Sequence, residues 1–215
     1  AVFQEKLGTQ FQRVERLVAL ARAIGQALEL TPVEQEQAVK AAWLCKADLA
    51  TRMVFEFPEL QGYMGKQYLL KEGGDPAVAE AIYEHYLPRG AGDDLPRTRP
   101  GIVVALADKL DTLAGYFSIG LIPTGSQDPF ALRRAAQGVV QTLVENGIRV
   151  DLTALASLAI EQYHLSGSEA QKVLSDLMEF FRARVKVLLE QREVRYDVID
   201  AVLAAGCRDV TDAVH

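Results

Sequence analysis

The sequence predicts an all-α fold, on three observations. Apolar residues recur at spacings of three, four and seven along most of the 215 residues, the period of an amphipathic helix. The periodic segments are punctuated by helix-start signatures, in which Ser, Thr or Asp stands just before Pro or three residues before Glu. No segment alternates apolar and polar residues with period two for long enough to argue for a sheet.

Taken in order, the elements follow from these signals. Phe11, Val14, Val18, Ala21 and Leu28 mark one face of a first helix. Thr31-Pro32-Val33-Glu34 starts the next, with threonine as cap, proline at the first helical position and glutamate reaching back. That helix is expected to run through Ala38, Ala41, Ala42, Leu44 and Cys45 towards Val54. Phe57 to Gly65 is a loop marked by Pro58 and Gly62, and Asp75-Pro76 opens a helix that carries Val78, Ile82 and His85 inward. Leu87 to Pro100 is loop, followed by a helix with Ile102, Leu106, Leu110, Leu113 and Phe117 along one stripe. Ile122-Pro123-Thr124-Gly125-Ser126 breaks the pattern and Asp128-Pro129 restarts it. Helices follow from Leu152 and from the capping box Ser166-Gly167-Ser168-Glu169; the latter carries Leu174, Leu177, Met178, Phe181, Val185, Leu188 and Leu189 as a seam. The Pro-Thr-Gly-Ser loop divides the helices into two groups, residues 1–124 and 125–215.

Composition narrows the function classes. A hydrophobic fraction of 49% and a charged fraction of 24% are those of an ordinary globular chain. No apolar run approaches the roughly 20 residues of a membrane-spanning helix, so no membrane role is expected. Cys45 and Cys207 belong to no CxxC pair, which argues against a disulfide framework or a cysteine-rich zinc site and suits the cytoplasm. The net charge of −6 and pI near 5.2 argue against a dedicated nucleic-acid module, although a local basic patch is compatible with them. The ends, Ala1-Val2-Phe3 and Asp212-Ala213-Val214-His215, read as cut from something longer. Phosphate-cradling GxxxxGK[ST], GxGxxG and HExxH patterns are absent.

The cluster that points most directly to chemistry is His85, Asp108 and Asp111. The two aspartates are three apart and share a helical face, and a histidine from a neighbouring helix could join them around a metal. The alternative is a buried histidine hydrogen-bonded to a carboxylate, beside a solvated acidic edge. A competent metal site needs three or more protein ligands, which favours the alternative.

This arrangement is similar to the HD superfamily of metal-dependent phosphohydrolases. In that family a first histidine precedes an Arg-Val pair, a His-Asp pair ends an Ala-Ala-Leu-Leu helix, and another aspartate lies in an Ala-Asp-Lys helix. Here Gln10 stands three residues before Arg13-Val14, Cys45-Lys46 follows Ala41-Ala42-Trp43-Leu44, and Ala107-Asp108-Lys109 keeps the last aspartate. His85 matches an intervening histidine. The resemblance implies an HD-like helical domain over residues 1–124 whose metal positions, Gln10, Cys45, Lys46, His85 and Asp108, are a relic that binds no metal.

A more specific resemblance rests on ordered segments. They are Val2 to Gly8, Lys46 to Val54, Phe57 to Gly65, Ala81 to Tyr86, Leu106 to Leu113 and Pro123 to Ala136, with a looser continuation from Phe180-Phe181-Arg182-Ala183-Arg184 to Tyr196-Asp197-Val198-Ile199-Asp200. Together they resemble the β subunit of the bacterial two-subunit glycyl-tRNA synthetase over nearly the whole chain. Gln127, where lysine is expected, is a minor departure. The resemblance implies a part in ATP-dependent glycylation of tRNA(Gly), within an α2β2 heterotetramer. It implies an α subunit that holds the ATP-using active site, and a second β subunit. By itself the chain would be non-catalytic and bind no cofactor, and residues 125–215 would continue towards a C-terminal tRNA-binding region.

Basic residues supply the candidates for tRNA contact: Arg133 and Arg134 at a helix start, and Arg182 and Lys186, four apart on the last long helix. Phosphate contact is one reading. The other is a solvated face paired with Glu179, Glu190 and Glu193, or Arg133 and Arg134 paired with Asp108 or Asp111. Two further functions stay open: a stand-alone HD-type phosphohydrolase, disfavoured by Gln10, Cys45 and Lys46, and a purely architectural helical domain.

Overall fold

A computed structural model describes residues 2–205 and 208–214, so Ala1, Cys207 and His215 lie outside the described residues. The architecture is all-α, apart from a short antiparallel ladder between β1 (Val2–Gln4) and β2 (Gly8–Thr9), with Val2 opposite Thr9 and Gln4 opposite Gly8. This ladder is too short to leave a period-two signal in the sequence. The chain forms two compact units, residues 1–111 and 112–215; the loop at residues 122–131 lies within the second.

In the first unit, α1 (Gln10–Ala27) starts at a capping box in which Thr9 accepts from the Gln12 backbone and Gln12 reaches back to Thr9. Gly8 sits at φ 89°, and a Cβ there would run into Gln12 Oε1. The glycine is what lets the box close. The buried face of α1 is Arg13, Val14, Leu17, Leu20, Ala21 and Ile24. This face keeps Val14 and Ala21 of the expected stripe but leaves Val18 and Leu28 half-buried, and Phe11 is exposed, resting edge-on against the exposed Trp43, 5.9 Å between ring centres. A charged residue, Arg13, takes an inward position because carboxylates await it there.

Helix α2 (Pro32–Leu44) starts at the Thr31–Glu34 capping box. It ends at Leu44 and does not continue towards Val54. A 3₁₀ turn, Ala47–Ala50, intervenes, and α3 (Arg52–Glu56) restarts on a Thr51 cap to the Val54 amide. After a second 3₁₀ turn at Pro58–Leu60 come α4 (Tyr63–Lys71) and α5 (Pro76–Glu84), the latter capped by Asp75. Helix α6 (Arg99–Ser118) follows. Its start is held by the buried Glu84 carboxylate, which accepts from the Arg97 and Thr98 amides at 2.8 and 3.2 Å. Residues 101–111 are buried without interruption, so Asp108 and Asp111 form no solvated edge.

In the second unit, residues 112–118 complete α6, followed by α7 (Leu132–Glu145), α8 (Leu152–Glu161), α9 (Gly167–Gln191), α10 (Tyr196–Ala205) and α11 (Val210–Val214). Helix α9 buries Val173, Leu177, Phe181, Val185, Leu188 and Leu189, most of the seam its sequence predicts. Helix α7 buries Leu132, Ala136, Val139, Val140 and Leu143. No helix among the described residues is long and apolar enough to cross a membrane.

Candidate functional site

Four of the five residues singled out for a relic metal site come from three parts of the first unit. Cys45 and Lys46 follow the last turn of α2, His85 caps the end of α5, and Asp108 lies on α6. Lys46, His85 and Asp108 meet. The Lys46 ammonium lies 2.9 Å from His85 Nε2 and 3.0 Å from Asp108 Oδ1, and 4.1 Å above the Tyr86 ring. Its three hydrogens thus face an imidazole nitrogen, a carboxylate and an aromatic ring. His85 is fully buried. Its Nδ1 bonds to the Ile82 carbonyl, so Nδ1 carries the hydrogen and Nε2 is left as the acceptor for Lys46.

A guanidinium layer completes the cluster. Arg13 Nη2 donates to Asp108 Oδ1 at 2.9 Å, Arg13 Nε lies 3.6 Å from Asp111 Oδ2, and Arg16 Nε donates to Asp111 Oδ1 at 2.7 Å. Within the first unit, Arg13 and Arg16 are thus partners of the aspartates. Lys109 Nζ donates to the Leu87 carbonyl at 2.7 Å and to that of His85 at 3.3 Å, tying the segment after α5 to α6.

Electrostatics follow from that geometry. Burial opposes the Asp108 carboxylate, but Arg13 and then Lys46 outweigh it and hold the acid far below its ordinary value. Burial also opposes the Lys46 ammonium, but Asp108, with smaller help from Tyr86 and Cys45, outweighs it and raises the lysine above its ordinary value, so it stays charged. Burial first, and the Lys46 charge second, push the His85 imidazole well below its ordinary 6.5. Burial brings Lys109 down to about 8. Burial likewise drives the Cys45 thiol up to about 12, and its Sγ bonds to the Ala42 carbonyl.

These residues do not fit a divalent metal. The space between the imidazole nitrogen and the carboxylate is taken by a bound ammonium, which a cation would have to displace against its charge. Gln10, at the start of α1, has a buried Oε1 without a hydrogen-bond partner and brings no charge. Among the described residues, no group of three or more His, Cys, Asp or Glu is placed to hold a metal ion.

The basic candidates all lie in the second unit. Asp128 accepts from the Leu132 and Arg133 amides at 2.8 and 2.9 Å and caps α7, while Arg133 itself donates to the Gly125 and Gln127 carbonyls. Arg134 is exposed. Arg182 pairs with Glu179 at 2.7 Å, and Lys186 lies 5.2 Å from the Tyr196 ring centre. Among the basic residues of the last long helix, the structure singles out one beyond Arg182 and Lys186. Arg184 on α9 is pushed below its ordinary value by burial and then by the nearby Arg133 charge, with Asp128 acting the other way. Its Nε is buried with no hydrogen-bond partner. No spacing rule joins residues 133 and 184; only the packing of α7 on α9 does.

The sequence profile described as glycyl-tRNA synthetase beta subunit matches residues 1–204. Among curated proteins, the glycine–tRNA ligase beta subunit of Desulforudis audaxviator is 50% identical over 213 residues, covering 99% of this chain and 31% of the relative. That of Desulforamulus reducens is 47% identical over 217 residues, covering 99% and 31%. The corresponding subunit of Clostridioides difficile is 47% identical over 211 residues, covering 98% and 30%. The chain therefore spans less than a third of the length of these relatives, and it belongs to the glycyl-tRNA synthetase β-subunit family.

Proposed function

We propose that this chain is a helical part of the β subunit of a two-subunit glycine–tRNA ligase, supporting ATP-dependent glycylation of tRNA(Gly) by scaffolding and tRNA contact without catalysing a step itself. Activation of glycine with ATP belongs, on this reading, to an α subunit in a cytoplasmic α2β2 assembly with a second β subunit. The observation that carries the non-catalytic part is the Lys46 ammonium seated between His85 and Asp108. The first unit is a degenerate HD-type frame in which an internal cation has replaced a metal. Such a frame keeps the helices together and offers no water-activating centre.

The tRNA-contact part rests on the second unit. Arg133 and Arg184 lie close enough to repel each other, with the Asp128 carboxylate beside them. Arg134 adds an exposed cation on α7. Like charges held together by packing are eased by a bound phosphate, which also releases counterions from the nucleic acid. Arg182 and Lys186 are secondary candidates, since each already has a neighbour.

The test is a tRNA(Gly) titration of the complete two-subunit enzyme carrying Arg133→Ala, Arg134→Ala and Arg184→Ala together. Affinity is expected to fall by about tenfold or more, with a shallower dependence on salt, by up to about one unit of log–log slope for each phosphate that the variant no longer neutralises. Unchanged affinity and unchanged slope would leave this part purely architectural.

A further inference from the structure

Helix α4 has no buried residue, although it carries Tyr63, Met64, Tyr68, Leu69 and Leu70. The reason lies on one side of it. Gly65, Tyr68, Leu69 and Glu72, spaced as a single helical face, line a cavity of about 360 Å³ whose other walls come from the end of α2, the 3₁₀ turn at Ala47–Ala50 and α5. The size is that of a small-molecule site. Its apolar wall is Leu44, Leu69 and Ile82; its polar groups are Asp48, Thr51, Tyr68 and Glu72, two of them acids, and no described lining residue is basic.

Asp48 is the informative group. It is only 2% exposed. Its Oδ2 accepts from the Gly62 amide at 2.6 Å and the Gly65 amide at 3.1 Å, which fixes the start of α4. Its Oδ1 is buried and has no hydrogen-bond partner. A buried carboxylate oxygen without a donor is costly, and here it belongs to a side chain on the wall of a cavity. At Gly65 a Cβ would sit 2.9 Å from Ile82 Cγ2 and 3.3 Å from Asp48 Oδ2, so a larger residue there would crowd the carboxylate and the apolar wall together.

We propose that this cavity is a binding site for a primary ammonium group on a short alkyl arm. The ammonium would donate to Asp48, with Glu72 adding negative charge, while the arm lies along Leu44, Leu69 and Ile82. A neutral ligand would leave the Asp48 charge unmatched. A cation without N–H donors could form no hydrogen bond to the carboxylate. The site is separate from the Lys46–His85–Asp108 cluster and does not depend on the tRNA reading.

The probe is n-butylammonium chloride, titrated into the full 215-residue chain and followed by the Gly65, Tyr68 and Leu69 amide NMR signals, with n-butanol and tetramethylammonium chloride as controls. Saturable shifts with n-butylammonium are expected, with binding about tenfold weaker or worse for both controls, the discrimination a charge-assisted hydrogen bond provides. Asp48→Asn should abolish this preference. Because Asp48 also holds α4, Ala47→Phe serves as an independent variant that narrows the cavity and leaves the carboxylate in place; it should weaken n-butylammonium binding by a similar factor. Nα-acetyl-lysine methylamide distinguishes the source: binding equal to n-butylammonium indicates a lysyl side chain of a polypeptide, and binding of n-butylammonium alone indicates a free amine. No saturable shift, equal binding of n-butanol, or indifference to Ala47→Phe would overturn the proposal.

Discussion

Lys46 shows how a single side chain changes what a site can do. An ammonium fixed by an imidazole nitrogen, a carboxylate and a ring is a buried ion pair with its hydrogens satisfied, and breaking such a pair is costly because the partner stays charged. Lys46→Met should therefore lower stability by about 3 kcal/mol, read as a lower urea midpoint, with Asp108 still held by Arg13. The cluster also fixes a pH response. His85 has a folded-state pKa below its unfolded value of about 6.5, so the unfolded chain takes the proton first. Its contribution is complete above about pH 6.5 and is lost as the pH falls below that. Asp108, also depressed, acts the same way below about pH 4. A urea series should show stability falling from about pH 6.5 downwards, and His85→Gln should flatten the first part of that fall. Cys45 should resist iodoacetamide in the native chain at pH 8, since its thiol is buried and titrates near 12; mass spectrometry of its peptide reads this directly. Lysine at position 46 was legible in the sequence as a misfit to a metal site. That it would bridge His85 and Asp108 was not, because the two lie 39 and 62 residues further along the chain.

At the scale of elements, the starts were legible and the ends less so. The Thr31–Glu34 and Ser166–Glu169 boxes and the Asp75 cap stand where the sequence puts them, since a cap is a contact among near neighbours. Helix α7 differs. Asp128-Pro129 suggests a start at once, but Asp128 reaches the Leu132 and Arg133 amides across Ala131, which sits at φ 55°. Asp128→Ala should cost about 1–2 kcal/mol and speed hydrogen exchange at the amides of residues 132 and 133, while amides in the middle of α7 stay protected. The break after Leu44 has a distant cause. Asp48 turns to the Gly62 and Gly65 amides, a bond that local propensity cannot announce, whereas the Thr51 cap three residues before Val54 was a signal available in the sequence. On α1, periodicity alone put Phe11 inward. The long-range pull of Asp108 and Asp111 on Arg13 and Arg16 selects a face rotated from that stripe.

For the whole molecule, the all-α class and the family followed from periodicity and ordered segments, because both are written along the chain. The juxtaposition of Arg133 with Arg184, and the cavity beside α4, depend on helix packing and had no local signature. What unites the first unit is a set of inward-facing charges arranged as a network, with Lys46 between His85 and Asp108. The most direct test is metal analysis combined with a nucleotide-phosphate hydrolysis assay on the 215-residue chain, after incubation with manganese and dialysis. The network predicts no stoichiometric metal and no turnover; one retained ion per chain together with hydrolysis would contradict it.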